Sequence, residues 1–249
     1  MNVVVVGASS GLGRCIAIGL AQRGDKVVLM ARRKALLEDA AKEAGPSAVP
    51  VVCDVTDESS IGSAFDAAAS RLGRVDAVVY AAAMGPLVRL EELDAATWRR
   101  IFDTNVIGAS LVTTNALPHL RTAGGTIAFL TSNSSSLTPP WPGLGAYIVS
   151  KAALNKLVEV WRAEHSDVGF TQIIVGECAG GPGDSMTQMT SEWDLDLAAQ
   201  MFPIWMSRHY MSGALLDVDE LIGVLASVLR CGPSATIPTV AIVPRATAT

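Results

Sequence analysis

The stretch Val3-Val4-Val5-Val6-Gly7-Ala8-Ser9-Ser10-Gly11-Leu12-Gly13 decides how the rest of the chain reads. Four β-branched residues in succession suit a strand buried on both faces, because a parallel strand covered by helices has no need of polar alternation. The glycines make a tight turn, and Arg14-Cys15-Ile16-Ala17-Ile18-Gly19-Leu20-Ala21 continues with apolar residues at helical spacing. Strand, glycine turn and helix together offer free N–H groups and a positive dipole end to a phosphate. The spacing is Gly-x-x-x-Gly-x-Gly rather than Gly-x-Gly-x-x-Gly. A glycine-rich turn can be purely structural; placed after four valines, this one reads as a dinucleotide site.

The chain has 249 residues, half of them hydrophobic and 17% charged, which is ample material for the core of one α/β domain. A net charge of −5 without any basic block argues against nucleic acid or an anionic membrane as partner. Cys15, Cys53, Cys178 and Cys231 are scattered, and with only His119, His165 and His209 beside them no metal cluster suggests itself. Buried free thiols in a reducing compartment account for the cysteines. Gly7 to Gly13 and Arg14 interrupt the N-terminal apolar run, so neither a signal peptide nor a membrane span is expected. The expectation is a cytoplasmic protein.

Further strands are expected over Lys26–Met30, Ala48–Cys53, Val75–Tyr80, Thr126–Leu130, Gln172–Val175 and the stretch from Ile237 to Pro244. Helices are expected over Lys34–Ala44, Ser59–Leu72, Trp98–Leu120 and from Gly145 onward. In a dinucleotide fold, the end of the second strand meets the adenosine ribose, where an acidic residue would repel a 2′-phosphate. Here that place holds Ala31-Arg32-Arg33, whose two guanidinium forks suit a phosphate, and NADP is the expected cofactor. Asp54, beside Val55, either takes the adenine amino group or opens the next turn with Thr56 and Asp57. Small residues at Ala81-Ala82-Ala83 let a cofactor approach the backbone. Asn105, a poor helix former among apolar neighbours, is either tolerated or marks a local kink that holds a water. Tyr147 and Lys151, four apart on one helical face after a hydroxyl-rich strand end, form a candidate acid–base pair.

With these features in place, the chain resembles the short-chain dehydrogenase/reductase family in its single-domain form. The resemblance rests on the Gly7/Gly11/Gly13 turn, Asp54, Asn105, a strand-end serine and Tyr147-x-x-x-Lys151, and it spans nearly the whole length. It implies a Rossmann-type doubly wound parallel sheet in three α/β/α layers. The implied reaction is hydride transfer between a nicotinamide and a carbonyl or alcohol of a small molecule. Catalysis is then expected from Asn105, Ser132, Tyr147 and Lys151. Cofactor contacts are expected from Gly7, Ser9, Ser10, Gly11, Leu12, Gly13, Arg32, Arg33, Asp54, Val55, Ala81 and Ala82, with Tyr147 and Lys151. Association into a homodimer or homotetramer through the helices of Trp98–Leu120 and Tyr147–His165 is implied as well.

Departures from the family pattern are Val6, Tyr80-Ala81-Ala82-Ala83 in place of Asn-Asn-Ala-Gly, Glu177 to Gly183 in place of Pro-Gly with its threonine, and a C-terminus without Asp-Gly-Gly. A segment at about 183–212 lies where the family carries its substrate lid, and its Met189, Trp193, Met201, Phe202, Trp205, Met206 and Tyr210 suggest an apolar substrate. The family's serine lies thirteen residues before the tyrosine, which selects Ser134; counting along the strand selects Ser132. A loop with Pro139, Pro140 and Pro142 absorbs an insertion more easily than a buried strand slips, which favours Ser132. The competing readings are a non-catalytic NADP-binding sensor or scaffold, and a lyase or epimerase on the same fold.

Overall fold

Val3, Val4, Val5 and Val6 are all inaccessible to solvent, and they alternate between two cores. Val3 and Val5 face one layer of helices, Val4 and Val6 the other, so each contributes about 1.5–3 kcal/mol of burial and none can be polar. The computed structural model describes residues 1–191, 193–232 and 234–245. The strands are β1 (Asn2–Val6), β2 (Lys26–Ala31), β3 (Ala48–Val52), β4 (Ala77–Tyr80), β5 (Thr126–Ser132), β6 (Gly169–Val175) and β7 (Thr239–Ile242). They form one parallel sheet in the order β3-β2-β1-β4-β5-β6-β7.

The helices are α1 (Gly11–Gln22), α2 (Lys34–Ala44), α3 (Glu58–Leu72) and α4 (Ala95–Phe102), then α5 (Gly108–Ala123), α6 (Gly145–Glu164), α7 (Leu195–Ser207) and α8 (Val218–Leu229). α1, α2 and α8 cover one face of the sheet; α3, α5 and α6 cover the other. This is the doubly wound α/β/α sandwich of Rossmann type. After β1 the chain winds outward to β2 and β3, then returns to β4 and winds the other way. The crevice between β1 and β4 therefore opens at the carboxyl ends of the strands, where such sheets take their ligands.

Several boundaries differ from expectation: β6 begins earlier, at Gly169, β4 later, at Ala77, and three further differences have clear physical reasons. The helix expected over Trp98–Leu120 is divided into α4 and α5 by one π-helical turn, Asp103–Ile107, centred on Asn105. β5 runs on through Thr131 and Ser132, because each pairs with β6 at Ile174 and Val175. β7 is only Thr239–Ile242, shorter than the expected Ile237–Pro244, because the prolines at 238 and 244 have no N–H for a ladder. α8 is announced by Asp217, which accepts the Asp219 N–H as N-cap, and by Leu221, Ile222, Leu225, Val228 and Leu229 on the buried face. No helix among the described residues is long and apolar enough to cross a membrane.

Candidate active site

The turn after β1 is built by close backbone approach. A Cβ at Gly7 would lie 2.5 Å from the Ala82 nitrogen, and one at Gly13 would lie 2.3 Å from the Gly7 carbonyl oxygen. Gly11 adopts φ +57°, and Ala81 and Ala82 continue β4 as small residues opposite the turn. Asp57, Asp94, Asp194 and Asp217 each cap a helix with their carboxylates, whereas Ser10 makes no side-chain bond to the start of α1. The first-turn N–H groups of α1 are thus left to a ligand, and Gly11, Leu12 and Gly13 line a cavity of about 620 Å³ that begins there. These features fit a dinucleotide pyrophosphate.

Beside the turn, Arg33 donates from Nη2 to Ser9 Oγ at 3.1 Å and to Ser10 Oγ at 2.5 Å. Arg32 is 67% exposed, its Nη1 3.9 Å from Asp54 Oδ2. Asp54 Oδ1 accepts the Thr56 N–H at 2.9 Å and the Thr56 hydroxyl at 2.8 Å, so of the two readings above the turn-opening one describes its observed bonds. The cavity wall at this level is made by Cys53 and Val55. Arg32, Arg33, Ser9 and Ser10 line the same end of the cavity.

The other end is organised by β5 and α6. Ser132 closes β5, and its hydroxyl is 2.8 Å from that of Ser134. Tyr147 and Lys151 lie one turn apart on α6, with Lys151 Nζ 5.8 Å from the tyrosine ring centroid. Lys151 is 2% exposed and donates to the Leu130 carbonyl at 2.8 Å, its one acceptor among the described residues. Burial lowers the lysine to about 8 and pushes the Tyr147 phenol up to about 12, with the Ser132 hydroxyl facing the phenol and pulling it down. A buried ammonium with one acceptor has donors to spare for a hydroxylated ligand.

Asn105 is wholly buried in the π-helical turn. Its Oδ1 accepts the Met84 N–H at 2.9 Å, and its Nδ2 donates to the Met84 carbonyl and to Ser150 Oγ, each at 2.9 Å. The expected kink is present, and the amide ties the segment after β4 to the residue preceding Lys151. Tyr80, standing where the family has asparagine, donates its hydroxyl to the Thr104 carbonyl at 2.5 Å and so joins β4 to the same turn. The Leu130 carbonyl and Ser150 support the site without any signal in the motifs, since each acts through tertiary contact, whereas Ser134, which the spacing to Tyr147 selects, sits beside Ser132.

The excursion between β6 and α8 closes over this end as a third core. Trp205, 1% exposed, packs at 5.4 Å from Trp141 and donates its indole N–H to the Pro142 carbonyl at 3.0 Å. The Trp193 indole donates to the Gly85 carbonyl at 2.9 Å. Met201 is buried in this cluster, while Met189, Trp193 and Phe202 line the cavity with Trp205. Met206 is exposed and does not line it. Among the described residues, no group of three or more His, Cys, Asp or Glu is placed to hold a metal ion.

A family model described as short chain dehydrogenase matches residues 1–198. The 11-beta-hydroxysteroid dehydrogenase A of Sesamum indicum is 36% identical over 180 residues, covering 70% of this chain and 51% of that protein. The chain thus spans about half the length of that relative. The cis-4-hydroxycyclohexanecarboxylate dehydrogenase of Sinomonas cyclohexanicum is 31% identical over 236 residues, covering 87% and 94% of the two chains. Among solved structures, an alcohol dehydrogenase from the archaeon Thermococcus sibiricus, complexed with 5-hydroxy-NADP, superposes with a TM-score of 0.78 at 25% identity, covering 96% and 94%. With the glycine turn and the Tyr147–Lys151 pair lining one cavity, and Asn105 in the π-helical turn behind it, the chain belongs to the short chain dehydrogenase family.

Proposed function

We propose that the protein is an NADP(H)-dependent oxidoreductase that interconverts a carbonyl and an alcohol on a small, apolar substrate. The observation that carries this reading is a single cavity that joins an uncapped helix start, flanked by Arg33 and Arg32, to Ser132, Tyr147 and a buried Lys151. The relatives named above as dehydrogenases, and the NADP-type nucleotide in the Thermococcus sibiricus structure, support it.

When bound, the nicotinamide supplies or accepts the hydride. Gly11, Leu12 and Gly13 hold the pyrophosphate with backbone N–H groups, and Arg33 with Arg32 holds the 2′-phosphate. Val55, Ala81 and Ala82 bound the nucleotide, and Asp54 serves it indirectly by shaping the turn that presents Val55. Ser132 holds the substrate oxygen. Tyr147 gives its phenolic proton to that oxygen during reduction and takes it back during oxidation, so reduction of C=O consumes one hydride and one proton. Lys151 bonds the nicotinamide ribose and favours the tyrosinate through its charge. Asn105 keeps the π-helical turn beside Ser150, and since its amide is engaged with Met84 and Ser150, the water that returns a proton to Lys151 would rest on its main-chain carbonyl. Residues 183–212 act as the substrate lid over a single domain. Its Met189, Trp193 and Phe202 present apolar surface, which suits a lipophilic substrate. We propose homodimer or homotetramer formation through the helices of Trp98–Leu120 and Tyr147–His165; Val149 and Val160, both on α6, are exposed, and light scattering on the purified chain reads the mass.

The test is consumption of NADPH or NADH, followed by absorbance, over a panel of apolar aldehydes and ketones. NADPH-dependent loss of absorbance with at least one cyclic or aromatic ketone is expected. Tight NADPH binding with no turnover across the panel would favour a non-catalytic sensor instead.

A further inference from the structure

Glu177 lies two residues beyond the end of β6 and lines the same cavity as Tyr147. Its Oε1 accepts the Ser212 N–H at 3.3 Å, and its carbonyl accepts the Leu216 N–H at 2.7 Å. It therefore stands where the excursion over the active site returns to the sheet. Met211, adjacent to that contact, packs in the cluster that contains Tyr147 and Trp205, so Glu177 belongs to the substrate end and not the adenosine end.

The charges of the cavity are unevenly placed. Among the described residues its cations are Arg32 and Arg33 beside the glycine turn, and Lys151, bonded to the Leu130 carbonyl. Its one acidic lining residue is Glu177, which pairs with no cation among the described residues. Aromatic and methionine side chains make up much of the rest of that end, and Glu177 itself is half-buried. A carboxylate on the substrate would meet a like charge there, and the one cation of that end, Lys151, is given to the nicotinamide ribose in the reading above. An ammonium or hydroxyl would find an acceptor, because one Glu177 oxygen makes no bond to the protein among the described residues. Discrimination of this kind comes from a repulsive element as much as from an attractive one.

We infer that Glu177 sets the charge of the substrate: the site takes neutral or cationic lipophilic carbonyls and alcohols and excludes carboxylates. The inference rests on the oxidoreductase reading above. It separates this chain from its Sinomonas cyclohexanicum relative, whose name specifies a carboxylate substrate.

The experiment takes a ketone that the panel of the preceding section turns over and compares three matched derivatives: a carboxylate, its methyl ester and a primary amine. With the full chain and saturating NADPH, kcat/KM for the carboxylate should fall below that for the ester by about 100-fold or more, since like-charge juxtaposition costs several kcal/mol. Glu177→Gln keeps the shape and an acceptor for the Ser212 N–H. It should raise the acid-to-ester ratio by about tenfold or more and lower the amine-to-ester ratio. Ratios are read so that any general loss in the variant cancels, and the wild-type comparison stands even if the variant is unstable. Equal turnover of acid and ester by the wild type, or ratios unmoved by Glu177→Gln, overturns the inference and leaves the oxidoreductase reading intact. A protein that reduces no member of the panel fails the oxidoreductase reading instead, and the charge rule falls with it.

Discussion

Replacing Lys151 by methionine should make the ligand-free protein more stable at neutral pH while destroying its activity. An ordinary lysine titrates near 10.5, and burial brings Lys151 to about 8. That difference of about 2.5 pH units, at about 1.36 kcal/mol each, means that holding the charged amine inside costs about 3 kcal/mol at pH 7. Between about 8 and 10.5 the unfolded chain binds the proton that the folded one has released. Stability therefore rises with pH across that window, and the cost is fully present below it. Methionine removes the charge but leaves the Leu130 carbonyl without its donor, a loss of about 1–2 kcal/mol. The net gain at pH 7 is then about 1–2 kcal/mol, or about 2–8 °C in Tm for a chain of this length. Urea unfolding of both proteins without nucleotide, repeated from neutral to alkaline pH, measures it. The advantage of the variant should shrink above about pH 8 and reverse at about pH 9–9.5, where the falling cost of the charge equals the lost bond. A difference that does not change with pH, or a wild type that is the more stable at pH 7, refutes the reasoning.

Tyr147→Phe keeps the ring and removes the proton, so turnover should fall by about 10²–10⁴. NADPH affinity, read by fluorescence titration, should hold; a variant that keeps most of its turnover moves the acid elsewhere. Ser132→Ala should cost a large factor in turnover, whereas Ser134→Ala removes one neutral hydrogen bond of about 1 kcal/mol and should cost about fivefold. The reverse order would mean that Ser134 holds the substrate oxygen. Arg33→Ala should weaken NADPH by about 10- to 100-fold with little change for NADH, by loss of a charged bond of about 1.5–3 kcal/mol. Arg32→Ala should do less, because that side chain is 67% exposed and lies beside Asp54. Equal losses of both nucleotides in Arg33→Ala would assign the arginine a purely structural role.

The parts of this protein that could be read in advance are those set by local rules. Val3 to Val6 must be buried on both faces whatever surrounds them, and the glycine turn after them admits no Cβ at Gly7 or Gly13. Tyr147 and Lys151 share a face because a helix has 3.6 residues per turn. The place of Ser132 at the end of β5 follows from a similar rule, since β5 pairs residue by residue with β6 through Val175; which serine holds the substrate oxygen is what the Ser132 and Ser134 variants decide. Asn105 announced a disturbed helix, although nothing in its neighbours indicated a π turn or that both ends of its amide bond the backbone of Met84.

The excursion over the active site resisted such reading because its side chains were chosen by partners far away in sequence. Trp193, Met201 and Trp205 look alike as lid residues, yet Trp193 latches to Gly85, Met201 fills a core and Trp205 joins Trp141 and the Pro142 carbonyl. Two indole N–H groups thus spend their bonds on carbonyls of two separate loops, one after β4 and one before α6. Both loops lead directly to positions of the proposed catalytic site: the first reaches Met84 and its Asn105 amide, the second reaches Tyr147. The residues that present apolar surface to a substrate therefore also hold the segments on which the proton donor and its supports depend. Changes made to widen substrate range at Trp193 or Trp205 act on both, since a cavity left in a packed cluster relaxes only in part. Met189 and Phe202 line the cavity with no hydrogen bond to either loop, but Phe202 packs 5.1 Å from Trp205 and Met189 packs on the cluster that holds Tyr147, so changes there act on the same geometry through packing alone.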